Sequence, residues 1–266
     1  MKSSLQIHPS HTADRIRSLA TAFRLPTVAE IAVARFAAAG HEEALDTLRE
    51  VLELEAQDRR ERRVDRIRRA SRLPPGKTFS NLDLTRLPRS LSRQLKTLST
   101  GEFIERSANV LAFGLPGVGK THAVSAVGHA LVDSGRPVYF TKTFQLVQEL
   151  LAAKRDLLLP RALRKLDQFE VLILDDIGYV QQSAEEVEVL FTLLSERYER
   201  RSTVITSNLV FSQWDQIFKN PMTTAAAIDR IVHHSVILEF TVSSFRTETA
   251  QKRRGSPEPV DEGEVA

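Results

Sequence analysis

The chain has no cysteine among its 266 residues. That excludes a disulfide framework and zinc sites of the cysteine type, and it leads to the expectation of a reducing, cytoplasmic setting. No apolar run approaches the roughly 18 residues that a membrane span requires. The opening stretch MKSSLQIHPSHTADRIRSLA lacks the apolar segment of a secretory signal. A soluble protein with no membrane partner is expected. Neither an internal repeat nor a base-reading motif such as a zinc finger is visible. What is present is a modest net charge of +3, unevenly distributed. Residues 1–100 hold 19 Lys+Arg against 12 Asp+Glu, and the remainder holds 18 against 22. A basic first part ahead of a slightly acidic core points to a polyanionic partner.

Residues 11–72 are rich in Ala, Leu, Glu and Arg, with apolar residues at helical spacing, and they predict almost continuous helix. Pro26 opens a second helix after Leu25, and Gly40 ends it. The stretch RLPPGKTFSNLDLTRLPRS, punctuated by Pro74, Pro75, Gly76 and Pro88, is expected to be a linker. From about residue 100, short apolar strands alternate with helices. Strands are expected near 109–114, 137–142, 169–175, 203–208 and 235–240, the pattern of an α/β fold with a five-stranded parallel sheet.

The string GKT occurs twice, at 76–78 and at 119–121. A phosphate-binding loop works mainly through backbone N–H groups. It must follow a strand, turn tightly through glycines and enter a helix whose positive end faces the anion. The second copy meets each requirement. NVLAF is the strand, GLPGVGKT fits G-x-x-x-x-G-K-[ST], and a helix ended by Gly135 follows. The expected cradle for ATP comprises Gly114, Leu115, Pro116, Gly117, Val118, Gly119, Lys120, Thr121 and His122. Lys120 is expected to reach the β- and γ-phosphates and Thr121 to ligate Mg²⁺. The first copy has no strand before it, Arg72 stands where the motif wants glycine, and its two prolines cannot donate. Lys77 is therefore expected to be an ordinary solvated linker lysine.

The stretch VLILDDIG at 171–178 is a buried strand ending in two carboxylates. Asp175 fits the Mg²⁺-holding aspartate of a Walker B strand, and Asp176 is placed to polarise the attacking water. Alternatively, the pair caps a helix. Two adjacent carboxylates repel unless a cation lies between them or one is protonated, and a Mg²⁺-nucleotide supplies that cation. Asn208, at the tip of the next apolar strand, is either a turn residue or an amide that orients the lytic water.

In combination, FGLPGVGKTH, VLILDDIGYV, STVITSNL, AAIDRIVHHS and SSFRTE resemble the AAA+ ATPases of the IstB/DnaC group. The segments LATAFRLPTVAEIA and LELEAQDRRERRVDRIRRASRLPPGKTFSNLDL resemble the amino-terminal part of the IstB-like transposition helper ATPases. The likeness spans about residues 14–250. It implies a P-loop AAA+ core preceded by a small helical domain. Residues 1–73 form that domain, for DNA binding and assembly. Residues 74–100 are linker and the start of the core, 101–250 the ATPase, and 251–266 a disordered tail. It also implies that Arg230 is an arginine finger acting on a neighbouring subunit, the alternative being a salt bridge with Asp229 or another acidic neighbour. Arg246 corresponds to the family's terminal arginine near the sensor-two position, although too few residues follow it for a helical lid.

DRRERRVDRIRRASR at 58–72 carries eight arginines against three acidic residues. On a helix Arg59, Arg62, Arg66 and Arg69 form one stripe, with Arg63 beside it. The guanidinium fork suits phosphate, and the bland alternative is a solvated helix with local pairs. With the resemblance, the expectation is an ATP-dependent homo-oligomer on duplex DNA that presents target DNA to an IstA-like transposase. A DnaC-like helicase loader is the alternative within the group. A small-molecule P-loop kinase is another class, but no lid or acceptor pocket is identifiable. A nucleotide-gated scaffold with little turnover is a third.

Overall fold

The computed structural model describes residues 9–178, 183–209, 213–214, 221–232, 234–242 and 244. The chain divides into two compact units, Met1–Arg66 and Ile67–Ala266.

The first unit is helical. Helices α1 (Pro9–Ala22) and α2 (Pro26–Ala38) precede the long α3 (Glu43–Ala70), whose last residues enter the second unit. Pro26 stands at the start of α2, where its missing N–H costs nothing. Ile16, Leu19, Leu45 and Leu52 form a small core, with Phe23, Val33 and Phe36 packed against it. Thr12 Oγ1 donates to Asp46 Oδ1 at 3.1 Å, tying α1 to α3. Acidic residues in the first turn of α3 and Arg68 and Arg69 in its last turn match the helix dipole.

The second unit is a three-layer α/β fold. Its strands are β1 (Asn109–Gly114), β2 (Val138–Lys142), β3 (Val171–Ile177), β4 (Ser202–Ser207) and β5 (Ser235–Phe240). All are parallel, in the order β2-β3-β4-β1-β5. Alternation of side chains along each strand divides the core between the two faces. Val110, Ala112, Val171, Ile173 and Val204 point to one cluster, while Leu111, Phe113, Leu172, Leu174 and Ile205 point to the other. Helices α4 (Arg89–Ser99) and α6 (Lys120–Asp133) cover the first face, with the short α5 (Glu102–Glu105). Helices α7 (Thr143–Arg155), α8 (Leu159–Leu166), α9 (Ala184–Arg197) and α10 (Pro221–Val232) serve the second. A capping box opens α9: Glu186 N donates to Ser183 Oγ at 3.3 Å, and Ser183 N donates to Glu186 Oε2 at 2.6 Å.

The segment expected to be linker contains ordered structure. Two 3-10 turns, Phe79–Asn81 and Leu84–Arg86, lead into α4. Leu91, Leu95 and Leu98 of α4, spaced along one helical face, are fully or nearly fully buried. No helix among the described residues is long and apolar enough to cross a membrane. The stretch expected to be a disordered tail, 251–266, lies outside the described residues.

Candidate nucleotide site

The carboxyl ends of β3, β4 and β1, three neighbouring strands, bring the sequence-predicted residues together. The loop after β1 leads into α6, with Gly119 in the left-handed region (φ 98°) as the residue before its first turn. Gly114 has no alternative. A Cβ there would lie 2.5 Å from the backbone oxygen of Phe240 at the end of β5, an approach no side chain permits. Lys120 is 5% exposed. Its Nζ donates to the backbone oxygens of Gly114 (2.6 Å) and Leu115 (2.9 Å) and to Asn208 Oδ1 (2.6 Å). Those acceptors match the three donors of an ammonium.

Asp175 is 3% exposed. Thr121 Oγ1 and Thr206 Oγ1 each donate to its Oδ1 at 2.8 Å. The register between β3 and β4 then shifts: Leu174 pairs with Ile205, but Ile177 pairs with Ser207, so β3 carries one residue more. Asp176 sits in that irregularity with φ 58°, a conformation that Asp and Asn adopt more readily than other residues with a side chain. Its N–H donates to Thr206 Oγ1 at 2.8 Å. One hydroxyl thus links the two aspartates, accepting from the backbone of Asp176 and donating to the carboxylate of Asp175. Burial pushes the Asp175 carboxyl above its ordinary range, opposed by the hydroxyls of Thr206 and Thr121. The Asp176 carboxylate adds to the rise and the Lys77 ammonium counters it. Sequence reasoning missed Thr206. The signal available was a threonine in VITSN, two residues before Asn208 at the end of an apolar strand.

A cleft of about 480 Å³ opens over these groups. Pro116, Gly117, Gly119, Lys120, Thr121, His122, Asp176 and Asn208 line it. Val118 is buried in the core beneath, and the Leu115 side chain is exposed. The opposite contribution comes from the first GKT region: Lys77, Asn81, Leu82, Asp83 and Arg86 line the same cleft. Lys77 is therefore not the solvated linker lysine that its sequence context suggested. Residues 71–87 form a strap against the core. Phe140 N donates to Ser71 O at 2.7 Å. Leu73 packs so closely on α6 that a Cβ at Gly128 would come within 2.8 Å of it. His129 Nε2 and His122 Nε2 lie 3.0 Å from Pro74 O and 3.1 Å from Thr78 O. A carbonyl only accepts, so both ring nitrogens carry the proton.

Arg230, on α10, stacks over the Phe191 ring at 4.8 Å and does not line the cleft. Its Nη1 is buried without a hydrogen-bond partner among the described residues, and no pair with Asp229 is seen there. Arg246 lies outside the described residues. The arginines of α3, namely Arg59, Arg62, Arg63, Arg66 and Arg69, are all exposed. Arg59 pairs with Glu55 and stacks on Phe23 at 4.3 Å, and Arg62 lies 3.6 Å from Glu55 and 3.5 Å from Asp58.

A family model described as IstB-like ATP binding protein matches residues 17–253. The chain belongs to this family. An insertion sequence ATP-binding protein of Sinorhizobium fredii is 39% identical over 258 residues, covering 94% of this chain and 86% of the relative. The ATP-binding protein named for insertion sequence IS21 in Pseudomonas aeruginosa is 37% identical over 201 residues, 76% of each. The crystal structure of DnaI superposes with a TM-score of 0.55 at 21% identity, covering 64% of this chain and 96% of DnaI. That likeness concerns the fold, an α/β core with a parallel sheet. As an IstB-like ATP-binding protein, the chain has ATP as its ligand.

Proposed function

We propose that this IstB-like chain is a Mg²⁺-dependent ATPase that oligomerises on duplex DNA and presents target DNA to the transposase of an insertion sequence. The observation that carries the reading is the gathering of Lys120, Thr121, Asp175, Asp176 and Asn208 at one cleft in a chain whose relatives are named for insertion sequences.

The donor chemistry suits the metal. Thr121 Oγ1 and Asp175 Oδ1 are hard oxygens 2.8 Å apart, and Mg²⁺ is usually held by one or two such groups with phosphates and waters. Thr121 and Asp175 would hold Mg²⁺, which when bound would supply positive charge to neutralise the phosphates. In this reading Lys120 exchanges its protein acceptors for phosphate oxygens. Asp176 polarises a water, which adds to the γ-phosphorus as the bond to the β–γ bridging oxygen breaks. The water's proton ends on phosphate, and Asn208 orients the attack. Arg230 supplies its guanidinium to the cleft of a neighbouring subunit, a reading supported by its Nη1, which has no hydrogen-bond partner among the described residues. The exposed Arg59, Arg62, Arg63, Arg66 and Arg69 bind phosphates of the duplex, with little base discrimination. The local pairs of Arg59 and Arg62 are exposed and worth little, so they yield easily to DNA.

ATP turnover, measured with and without duplex DNA and with the partner transposase, tests the function. DNA-stimulated hydrolysis and ATP-dependent assembly are expected. A rate unaffected by DNA, with stimulation by a replicative helicase instead, would favour a helicase loader. Replacing Arg59, Arg62, Arg66 and Arg69 by Gln should lower the log–log salt slope of DNA binding by about 0.9 for each phosphate that is no longer neutralised. An unchanged slope would return the stripe to solvent. Mixing Arg230→Ala subunits with Lys120→Ala subunits should restore part of the hydrolysis if the finger acts across an interface.

A further inference from the structure

We propose that Lys77 is a second phosphate-binding cation of the cleft, which binds the terminal phosphate of a nucleoside triphosphate. The inference rests on the nucleotide reading above and adds a residue from outside the phosphate loop.

Three observations support it. Lys77 lines the cleft together with Thr121, Asp176 and Asn208, the groups assigned to the terminal phosphate end. Its backbone is held on both sides. Pro74 O receives His129 Nε2, Gly76 O receives Asn81 Nδ2 at 2.8 Å, and Thr78 O receives His122 Nε2. Gly76 makes the turn in the left-handed region, φ 74°. The strap therefore sets where residue 77 stands, while its side chain makes no hydrogen bond or ion pair among the described residues. Lys120 differs, with three acceptors already in hand.

The chemistry favours phosphate over the other parts of a nucleotide. An ammonium on a flexible stem is a point donor without the planar edge that would read a base, and it is a common phosphate ligand. A Mg²⁺-bound triphosphate beside Asp175 and Asp176 concentrates negative charge that Lys120 alone does not balance. A diphosphate lacks the terminal group, so Lys77 should distinguish the two nucleotides. The first GKT is then no phosphate loop, yet its lysine serves the same ligand.

The test is a nucleotide titration of the full chain with Mg²⁺, using ATP and ADP, on the parent protein, Lys77→Met, Lys77→Arg and Lys120→Ala. Methionine keeps the length of the stem without the charge, and thermal melting checks that each variant is folded. Lys77→Met is expected to weaken ATP about tenfold, as for the removal of one charged hydrogen bond, and ADP by less than about threefold. Lys77→Arg should retain most of the ATP affinity. Parent-like binding of both nucleotides by Lys77→Met, with both abolished in Lys120→Ala, would overturn the role of Lys77 while leaving the site intact. An equal weakening for ATP and ADP would also overturn it, by assigning the residue to the base, the ribose or the strap. Unchanged binding by Lys120→Ala would instead bring down the reading of the cleft itself.

Discussion

Arg197 and Asp175 are charges buried at opposite ends of the sheet, and the two are treated differently. At the amino ends of β3 and β4, Arg197 is 2% exposed. Its guanidinium donates to the backbone oxygens of Leu166, Phe169, Glu170 and Ser202 and to Thr203 Oγ1, at 2.9 to 3.3 Å. Burial lowers its pKa to about 10, so it remains charged at neutral pH. At the carboxyl ends, Asp175 is buried almost as deeply, but both of its hydroxyl donors converge on Oδ1. Another carboxylate is its immediate neighbour, and folding makes it harder to ionise. Arg197 closes off the carbonyl of Leu166 at the end of α8 and those of the strand entrances. Asp175 is left in need of a cation. A buried charge whose partners are complete belongs to the architecture, whereas one whose partners are incomplete marks a place for a ligand.

Three substitutions probe this contrast. The largest effect is expected from Arg197→Met. It fills much of the volume but strands several buried carbonyls, at a cost of about 3–5 kcal/mol in unfolding free energy. Urea unfolding measures this, and a drop below about 1 kcal/mol would show that these hydrogen bonds are not stabilising. Hydrolysis per folded molecule should be unaltered, since no part of the cleft is touched. Asp176→Asn comes next. It should bind Mg²⁺-ATP and turn it over at least about tenfold more slowly, equivalent to about 1.4 kcal/mol in the barrier. Asparagine also tolerates the left-handed backbone, so a slow variant cannot be attributed to strain. Normal turnover would move the lytic role to another residue.

The smallest effect has the opposite sign. The folded state raises the pKa of Asp175, so the folded protein holds that proton more tightly than the unfolded chain. Ionisation therefore costs stability. The cost is absent below the unfolded pKa of about 3.9 and complete above the folded value. Asp175→Asn should accordingly stabilise the nucleotide-free protein at neutral pH by about 0.5–2 kcal/mol, with the gain shrinking as pH falls into the acid range. Mg²⁺-dependent nucleotide binding should weaken at the same time. Melting curves across pH would expose the error if the variant were less stable at neutral pH than in acid, relative to the parent.

What could be read from the sequence was local. All five strands lie within two residues of the expected bounds, because apolar runs between turn residues have one reading in an α/β alternation. The phosphate loop was legible because strand, glycines and helix are contiguous. Asp175 and Asn208 were legible because each lies at or just beyond the carboxyl end of such a strand. Long-range placement was not available. Nothing in PPGKTFSNLDL states that Lys77 returns to the cleft, since that depends on Leu73 seating against Gly128 and on two histidines two turns apart on α6. Thr206 was hidden for a similar reason: its hydroxyl matters only because the extra residue in β3 turns the amide of Asp176 toward it. The helix α4 could have been recognised, because Leu91, Leu95 and Leu98 repeat at helical spacing.

The engagement of Lys120 has a kinetic consequence. An ammonium with three acceptors within 2.9 Å is not waiting for a ligand. Phosphate has to take its place among two carbonyls and an amide, so capture becomes an exchange with its own activation step. Nucleotide association should then run below the diffusion-controlled range, at a rate set by how often the lysine leaves its loop. Release should be followed promptly by recapture of the side chain, which disfavours rebinding of the same molecule. The hydrogen bonds that hold Lys120 would in this way lengthen the interval between successive nucleotides, and the clock would lie in the loop rather than in the concentration of ATP.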